Sequence, residues 1–410
     1  MNLKNVYYGW WVVLAGMVVA AFSSGIIFFG FTAFLEPIVH DFGWTYTQIS
    51  FIGALRGLNM GIFAPVAGLL VDRFGSRIVV FLGIITMSLG LILTGFTHSF
   101  YGFFATFLLI SFGSGGCTSV VLMTAVANWF NRDIGKAMGL VTCGFGGGGL
   151  LVPLNVWLID TCGWRVALWI LGGAILAVGL PAALVIRNRE TAYDAPPNGL
   201  SASPARPEAK SEEEHHPDFT VKQAVRNGFY WQVAFAEVVR MAAAASVAMH
   251  VMPYLGSLGF SRTRAGLVAS AIPLISIVGR FGFGWLGDIY DKKKVLLATL
   301  ACTALGLLAF AYLRITWLII PLLILYAPGF GGGTTMRGAI IRDSFGLAAM
   351  GRLLGIIMGL SAISGLVGPM LSGWVYDTYG TYHYVWLAFT VILAASTILL
   401  GIIKTPALHR

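Results

Sequence analysis

Long apolar runs separated by short polar breaks make up most of this chain. Cutting it at its charged and Pro/Gly positions leaves twelve stretches of about 20 residues or more, at 10–36, 47–71, 78–97, 101–129, 136–160, 164–187, 228–256, 264–287, 294–313, 316–342, 350–376 and 383–404. Each is long enough to cross a hydrocarbon core about 30 Å thick. The runs are continuous rather than alternating, so they are predicted as helices and not as barrel strands. The first is too long for a signal-peptide core and has no small-residue cleavage site behind it; it reads as a retained span. One segment breaks the pattern: "NRETAYDAPPNGLSASPARPEAKSEEEHHPD", 188–218, is rich in Pro, Ser and Glu and cannot bury a core. It reads as a disordered linker. The expected organisation is an N-terminal six-helix bundle over 1–187, a linker over 188–226 and a C-terminal six-helix bundle over 227–410.

Composition agrees with the pattern. The 410 residues are 57% hydrophobic and 10% charged, with a mean hydropathy of +0.82, too little polar surface to cover a soluble globule. The lipid bilayer is therefore the expected solvent. The net charge of +9 follows from topology. Arg73, Arg77, Arg132, Lys136, Lys222 and Lys292 to Lys294 fall on one side of the spans, against Arg165, Arg262, Arg264 and Arg314 on the other. The positive-inside rule makes the first side cytoplasmic, together with both termini, in a cell or inner membrane. Such dispersed, membrane-flanking charge does not suit nucleic acid. Cys117, Cys143, Cys162 and Cys302 lack paired-ligand spacing, so no disulfide framework, metal site or cofactor is indicated.

The halves repeat. At an offset of 216 residues, Gly68 falls on Gly284, Asp72 on Asp288, Gly43 on Gly259, Pro37 on Pro253, and "GGCT" from Gly115 on "GGGT" from Gly331. With one further residue of shift, "WLIDTCG" from Trp157 falls on "WVYDTYG" from Trp374. Each half holds six spans and starts on the same side, so the repeat is parallel about an axis normal to the membrane. Two such bundles around a central cavity form an alternating-access design.

"GLLVDRFGSR", from Gly68 through Asp72, Arg73 and Gly75 to Arg77, resembles the loop signature of the major facilitator superfamily. "GWLGDIYDKK", containing Asp288, resembles its degenerate copy. The resemblance implies that these residues tie helices together in one state of a transport cycle. "YYGWWVVLAG", "WFNRDIGKAMGL", "HVMPYLGSLGFS" and "GRFGFGWLGD" further resemble the bacterial monocarboxylate transporter-like members and the related oxalate/formate branch. Departures exist. The animal carriers have a lysine in the first helix, where "SSGIIFFGFTAF" has none, and an aspartate one turn before the eighth-helix arginine, where this chain has Ser276. Their proton relay does not transfer unchanged. An oxalate carrier would add a basic residue in the eleventh helix, and "GIIMGLSAISGLVGPML" has none.

Among intramembrane charges Arg280 stands out. It precedes Asp288 by eight residues, about 12 Å at the helical rise, which places it well inside the core, where a charge costs roughly 2.5–3.5 kcal/mol. Its repeat partner is Ala64, so the fold alone does not require it. A planar guanidinium without an adjacent acid suits a substrate carboxylate. One free arginine matches a monoanion. Phe28, Cys117, Phe145, Ser276, Tyr326 and Ser364 fall near mid-span and are expected to shape the pocket around it. An apolar wall beside one arginine favours a small organic anion over a sugar. Glu237 and Arg240, three apart, can pair on one helical face. Arg56 and Glu36 lie toward the outer ends of adjacent helices, where a pair or gate contact is plausible. His250 is the candidate proton acceptor, because its side chain titrates near physiological pH; a hydrogen-bonded interfacial histidine is the competing reading, and Glu237 or Glu36 is the next candidate.

The expectation is thus a non-enzymatic, monomeric carrier that moves lactate- or pyruvate-like monoanions with protons. An exchanger of the oxalate/formate kind is the alternative, and a non-transporting membrane sensor a more distant one. No His-Glu-x-x-His or Gly-x-Ser-x-Gly supports an intramembrane enzyme. The two G-x-G-x-x-G matches, at Gly144 and Gly282, neither follow a strand nor open a soluble helix, and read as helix-packing glycines.

Overall fold

The computed structural model describes residues 7–130, 134–187 and 220–406, and among them every regular element is a helix. In chain order these are α1 (Tyr8–Ser23), α2 (Thr32–Phe42), α3 (Tyr46–Thr94), α4 (Phe100–Gly115), α5 (Ser119–Ala127), α6 (Ile134–Gly147) and α7 (Leu151–Val185) in the first half. The second half holds α8 (Val221–Val225), α9 (Gly228–Ser257), α10 (Arg262–Ile289), α11 (Lys292–Ala311), α12 (Ile319–Pro321), α13 (Ala327–Phe345), α14 (Leu347–Tyr379) and α15 (His383–Ile402).

Two of these elements are each two rods joined at a glycine. Inside α3, Gly75 takes φ 79° and ψ 156°, and inside α7, Gly163 takes φ 80° and ψ 159°. Only glycine adopts that backbone without steric cost, so the chain reverses there in almost no length. Nine described stretches are apolar and long enough to cross a membrane. Dividing Lys136–Val185 at Gly163, and adding 46–74 and the α4–α5 pair, gives the twelve crossings expected from hydropathy.

The repeat is visible in the backbone as well as the sequence. Gly43 and Gly259 both have positive φ, at 66° and 86°, and so do Gly163 and Gly380, at 80° and 66°. These pairs are separated by 216 and 217 residues, the sequence offsets. The same crossings therefore end on the same left-handed or extended glycine in both halves. Most of the proposed linker lies outside the described residues; its last part forms α8, capped by Thr220 through a reciprocal bond with Gln223.

Two interruptions shape the centre. Ser24–Phe28, between α1 and α2, is a π turn, and so is Leu322–Tyr326, between α12 and α13. A π turn widens the helix and detaches carbonyls. The Gly25 carbonyl accepts from Asn155 Nδ2 on α7 at 3.1 Å, which fixes the turn that carries Phe28. Close glycine contacts set the spacing of α10 and α13: a Cβ on Gly331 would stand 2.0 Å from the Ser276 carbonyl oxygen, and one on Gly279 would stand 2.1 Å from that of Pro328. The two helix backbones therefore meet without intervening side chains.

Candidate functional site

The halves are joined at one end by a pair of clasps placed by the repeat. Asp160, three residues before the Gly163 break in α7, and Asp377, near the end of α14, are the aspartates of the two "W-x-x-D-T-x-G" copies. Each grips the start of a helix in the opposite half. Arg262, at the first position of α10, donates from Nε to Asp160 Oδ1 at 2.8 Å and from Nη2 to the Ala33 carbonyl at 3.2 Å, and it also pairs with Glu36 at 3.2 Å. Asp377 accepts the backbone N–H groups of Tyr46 and Thr47, at 3.0 and 2.8 Å, as α3 begins. Position 46 is the repeat equivalent of position 262, so one design serves both sides with different donors, a guanidinium in one case and a helix N-terminus in the other.

An exposed ion pair contributes about 0.2–1 kcal/mol and a helix cap about 1 kcal/mol. Replacing Arg262 and Asp377 together by alanine is therefore expected to raise the population open at this end roughly tenfold, since the two sum to about 1.2–2 kcal/mol and 1.4 kcal/mol is tenfold. The measure is the labelling rate of a cysteine at Met249, which packs on Gly53, in a background lacking the four native cysteines. An unchanged rate would show that the clasps do not hold this end closed.

Beneath the clasps lies His250, fully buried on α9. Its Nδ1 is 3.1 Å from the Tyr382 hydroxyl, and its Nε2 is 3.0 Å from the Pro369 carbonyl and 3.1 Å from Ser50 Oγ on α3. A neutral ring that donates from Nε2 to Pro369 and accepts from Tyr382 satisfies both nitrogens. His250 thus sits in the seal between the halves. It does not line the open cavity, which the sequence reading had tied to an inward-facing seventh helix.

Arg280 lies deeper, on α10. Its Nη1 donates across the interface between the halves to the Thr142 carbonyl of α6 at 3.0 Å, while its Nε is buried with no partner. The Nε–Nη2 edge is the side of a guanidinium that receives a carboxylate through two parallel bonds.

A third cationic group adds Arg337, which the sequence reading does not single out, to the expected Glu237–Arg240 pair. Glu237, on α9, is held by both of its oxygens: Arg240 donates Nε to Oε2 at 2.8 Å and Nη2 to Oε1 at 2.7 Å. Arg337 of α13 donates Nη1 to the same Oε1 at 2.7 Å. The local Glu237–Arg240 pair is as the spacing predicts, and Arg240, 0% exposed, also donates to the Phe330 carbonyl. Arg337 lies inside the predicted tenth span, and its repeat partner is Val121. The comparison that isolates Arg280 from Ala64 would have flagged it too.

The remaining expected pocket residues divide. Phe28 and Tyr326, carried by the two π turns, line one small enclosed void with Phe330, and Phe28 also lines, with Gly53 and Ala54, the first-half wall of a larger cavity of about 70 Å³ whose other wall is formed by α9, α13 and α14. Ser276 and Ser364 are bonded back to their own helices, to the Pro273 and Ser361 carbonyls at 2.7 and 2.9 Å. Cys117 is packed in the core. The Phe145 carbonyl accepts from Ser24 Oγ at 2.8 Å, which ties α6 to the first π turn. Of the signature, Arg73 and Arg77 are exposed, Gly75 makes the helix break, and Asp288 is exposed near the end of α10. Of Gly68, Asp72 and Arg56 only the helical backbone is described.

With this geometry in place, likeness to known proteins can be stated. The family model described as Major Facilitator Superfamily matches residues 17–333 and 233–409. The chain is 27% identical to monocarboxylate transporter 12-B of Danio rerio, over 96% of this chain and 86% of that one. It is 25% identical to monocarboxylate transporter 13 of Bos taurus, over 96% and 89%. Among solved structures, a bacterial homologue of the human lysosomal transporter Spinster, inward-facing and occupied, superposes with a TM-score of 0.73 at 15% identity, over 97% of both chains. A mutant of the nucleoside transporter NupG superposes with a TM-score of 0.74 at 14% identity, over 95% and 99%. At those identities the structural matches speak to fold alone.

Proposed function

The chain belongs to the Major Facilitator Superfamily, and from that premise we propose that it carries small monocarboxylates of the lactate and pyruvate kind across a cell membrane, together with protons, by alternating access. The observation that carries this reading is Arg280. It is a guanidinium at mid-membrane depth on the interface between the halves, with one edge bonded to a backbone carbonyl of the opposite half and its Nε buried without a partner. A carboxylate on the Nε–Nη2 edge would satisfy that nitrogen and form a charge-assisted pair in low dielectric. The resemblance to monocarboxylate transporters along nearly the whole chain supports the same substrate class.

The positive-inside distribution assigns the clasped end to the outer side and both termini to the cytoplasm. On this reading the conformer is closed toward the outside. Met358, 37% exposed, lines the cavity between the halves. When the clasps at Asp160 and Asp377 release, Ser50 leaves His250, and the ring becomes reachable from outside. His250 then accepts a proton from the external solution, carries it inward as the outer end closes, and gives it up toward the cytoplasm, which leaves the neutral ring bonded to Pro369 and Tyr382.

Proteoliposomes test this. Acidification outside is expected to drive pyruvate uptake without internal substrate, whereas an exchanger would need preloaded counter-anion. His250→Gln, which keeps an amide donor near Pro369, is expected to flatten the dependence of uptake on external pH while preserving exchange of pyruvate at equal pH. An unaltered pH profile would remove His250 from the coupling step.

A further inference from the structure

We propose that the external proton reaches His250 through Tyr382, whose hydroxyl passes its hydrogen to Nδ1 and takes another from solution. This rests on the coupling role given to His250 above. It adds the side of the ring at which the proton arrives and the group that delivers it.

The partners of the ring give the first reason. A carbonyl oxygen only accepts, so the Pro369 carbonyl, 3.0 Å from Nε2, fixes the hydrogen of the neutral ring on that nitrogen. Nδ1 is then the basic nitrogen, and the Tyr382 hydroxyl stands 3.1 Å from it as donor. His250, Pro369 and Tyr382 all belong to the second half, so separation of the halves leaves both bonds in place. Ser50, on α3 of the first half, touches Nε2. Its departure therefore uncovers the nitrogen that already carries a hydrogen. A proton entering by that edge would meet an N–H; the lone pair lies on Nδ1, under the Tyr382 hydroxyl.

The packing over Tyr382 gives the second. Tyr382 is fully buried and stacks on Tyr376, with ring centroids 4.4 Å and planes 18° apart. Tyr46 stands edge-on to Tyr376 at 4.9 Å, and its backbone N–H is held by Asp377. Tyr46 is a first-half residue, so release of the clasp at Asp377 lifts it from the stack and thins the cover over Tyr382. The other ionisable groups around Tyr382 are committed. Tyr254, which Arg314 faces, donates to the Phe310 carbonyl at 2.7 Å. His383 bonds the Ala311 carbonyl at 2.9 Å, Glu36 pairs with Arg262, and Asp377 accepts from Tyr46 and Thr47. The transfer balances: the O–H bond of Tyr382 breaks as the N–H bond on Nδ1 forms, and the oxygen takes a proton from water admitted at the open outer end. The phenol ends neutral and the ring carries one positive charge.

The test uses the full chain in proteoliposomes with pyruvate. In Tyr382→Phe, uptake driven by external acid is expected to fall about 100-fold, the lower end of what a positioned proton-transfer group contributes. Exchange of pyruvate at equal pH, which needs no net proton movement, should stay near the parent's. 3-Fluorotyrosine at position 382 keeps the hydroxyl in nearly the same volume but releases its proton more readily. It is expected to shift the pH profile of proton-driven uptake and to leave exchange alone. Proton-driven uptake at the parent's rate in Tyr382→Phe would overturn the relay, as would a pH profile unmoved by 3-fluorotyrosine. Slowing of exchange together with proton-driven uptake in Tyr382→Phe would also overturn it, because a residue that merely holds the ring in place acts on both. Failure of the coupling reading appears separately, as a parental pH profile in His250→Gln.

Discussion

Pyruvate uptake through an Arg280→Gln variant is expected to need at least about 30-fold more substrate for half-saturation than uptake through the parent. Truncating one member of a desolvated charge pair costs about 2–5 kcal/mol, and 2 kcal/mol is already a factor of about 30. Glutamine retains a donor but loses both the charge and the planar fork. Arg280→Lys keeps the charge alone, so its loss is expected to be smaller yet clear. The contact with Thr142 gives a way to separate binding from architecture. If Arg280 mattered only as a tie between α10 and α6, Arg280→Gln would lower the melting temperature and leave half-saturation near the parent's. Unchanged half-saturation in a folded variant would sink the anchoring role.

Glu237→Gln is expected to be the most destabilising single substitution in the C-terminal half's polar network. It leaves Arg240, fully buried, and Arg337 with no anion between them, and breaking a buried pair on one side costs about 3–5 kcal/mol. Melting of the purified protein should fall sharply. Adding Arg337→Gln lowers the surplus from two charges to one and should restore part of the loss, whereas Arg337→Gln alone should cost little. Additive losses in that double-mutant cycle would show that Arg337 and Glu237 are not coupled, against the 2.7 Å contact between them.

Much of the site was within reach of the sequence, though unevenly. Arg280 was found because a charge without a repeat partner, at a known depth in a span, requires its own explanation. The same logic reaches Arg337, which lies close enough to the span's end to pass as a flanking charge. His250 was legible as a titratable group at the outer end of its helix. Its confinement between Tyr382, Pro369 and Ser50 was not, because those partners come from the residue before α15, from α14 and from α3. The aspartates of the "W-x-x-D-T-x-G" copies were noticed as repeat anchors, and their role as clasps follows only from Arg262 and the start of α3 standing opposite them.

The sequence by itself determined the solvent, the crossings and their two-fold repetition. These rest on quantities read along one strand of chain: the length of apolar runs against the thickness of a bilayer, and the spacing of glycines whose backbone no other residue adopts as cheaply. Axial depth follows from them, because each helical residue advances 1.5 Å. Rotation about the helix axis and the choice of neighbour do not. Asp377 meets Thr47 across 330 residues, and Arg337 meets Glu237 across 100, through packing that turns one face of each helix toward another. Only the tertiary structure decided which end was closed and which of the buried charges were already answered by one another, because both depend on the sum of contacts between two rigid halves rather than on any stretch within either.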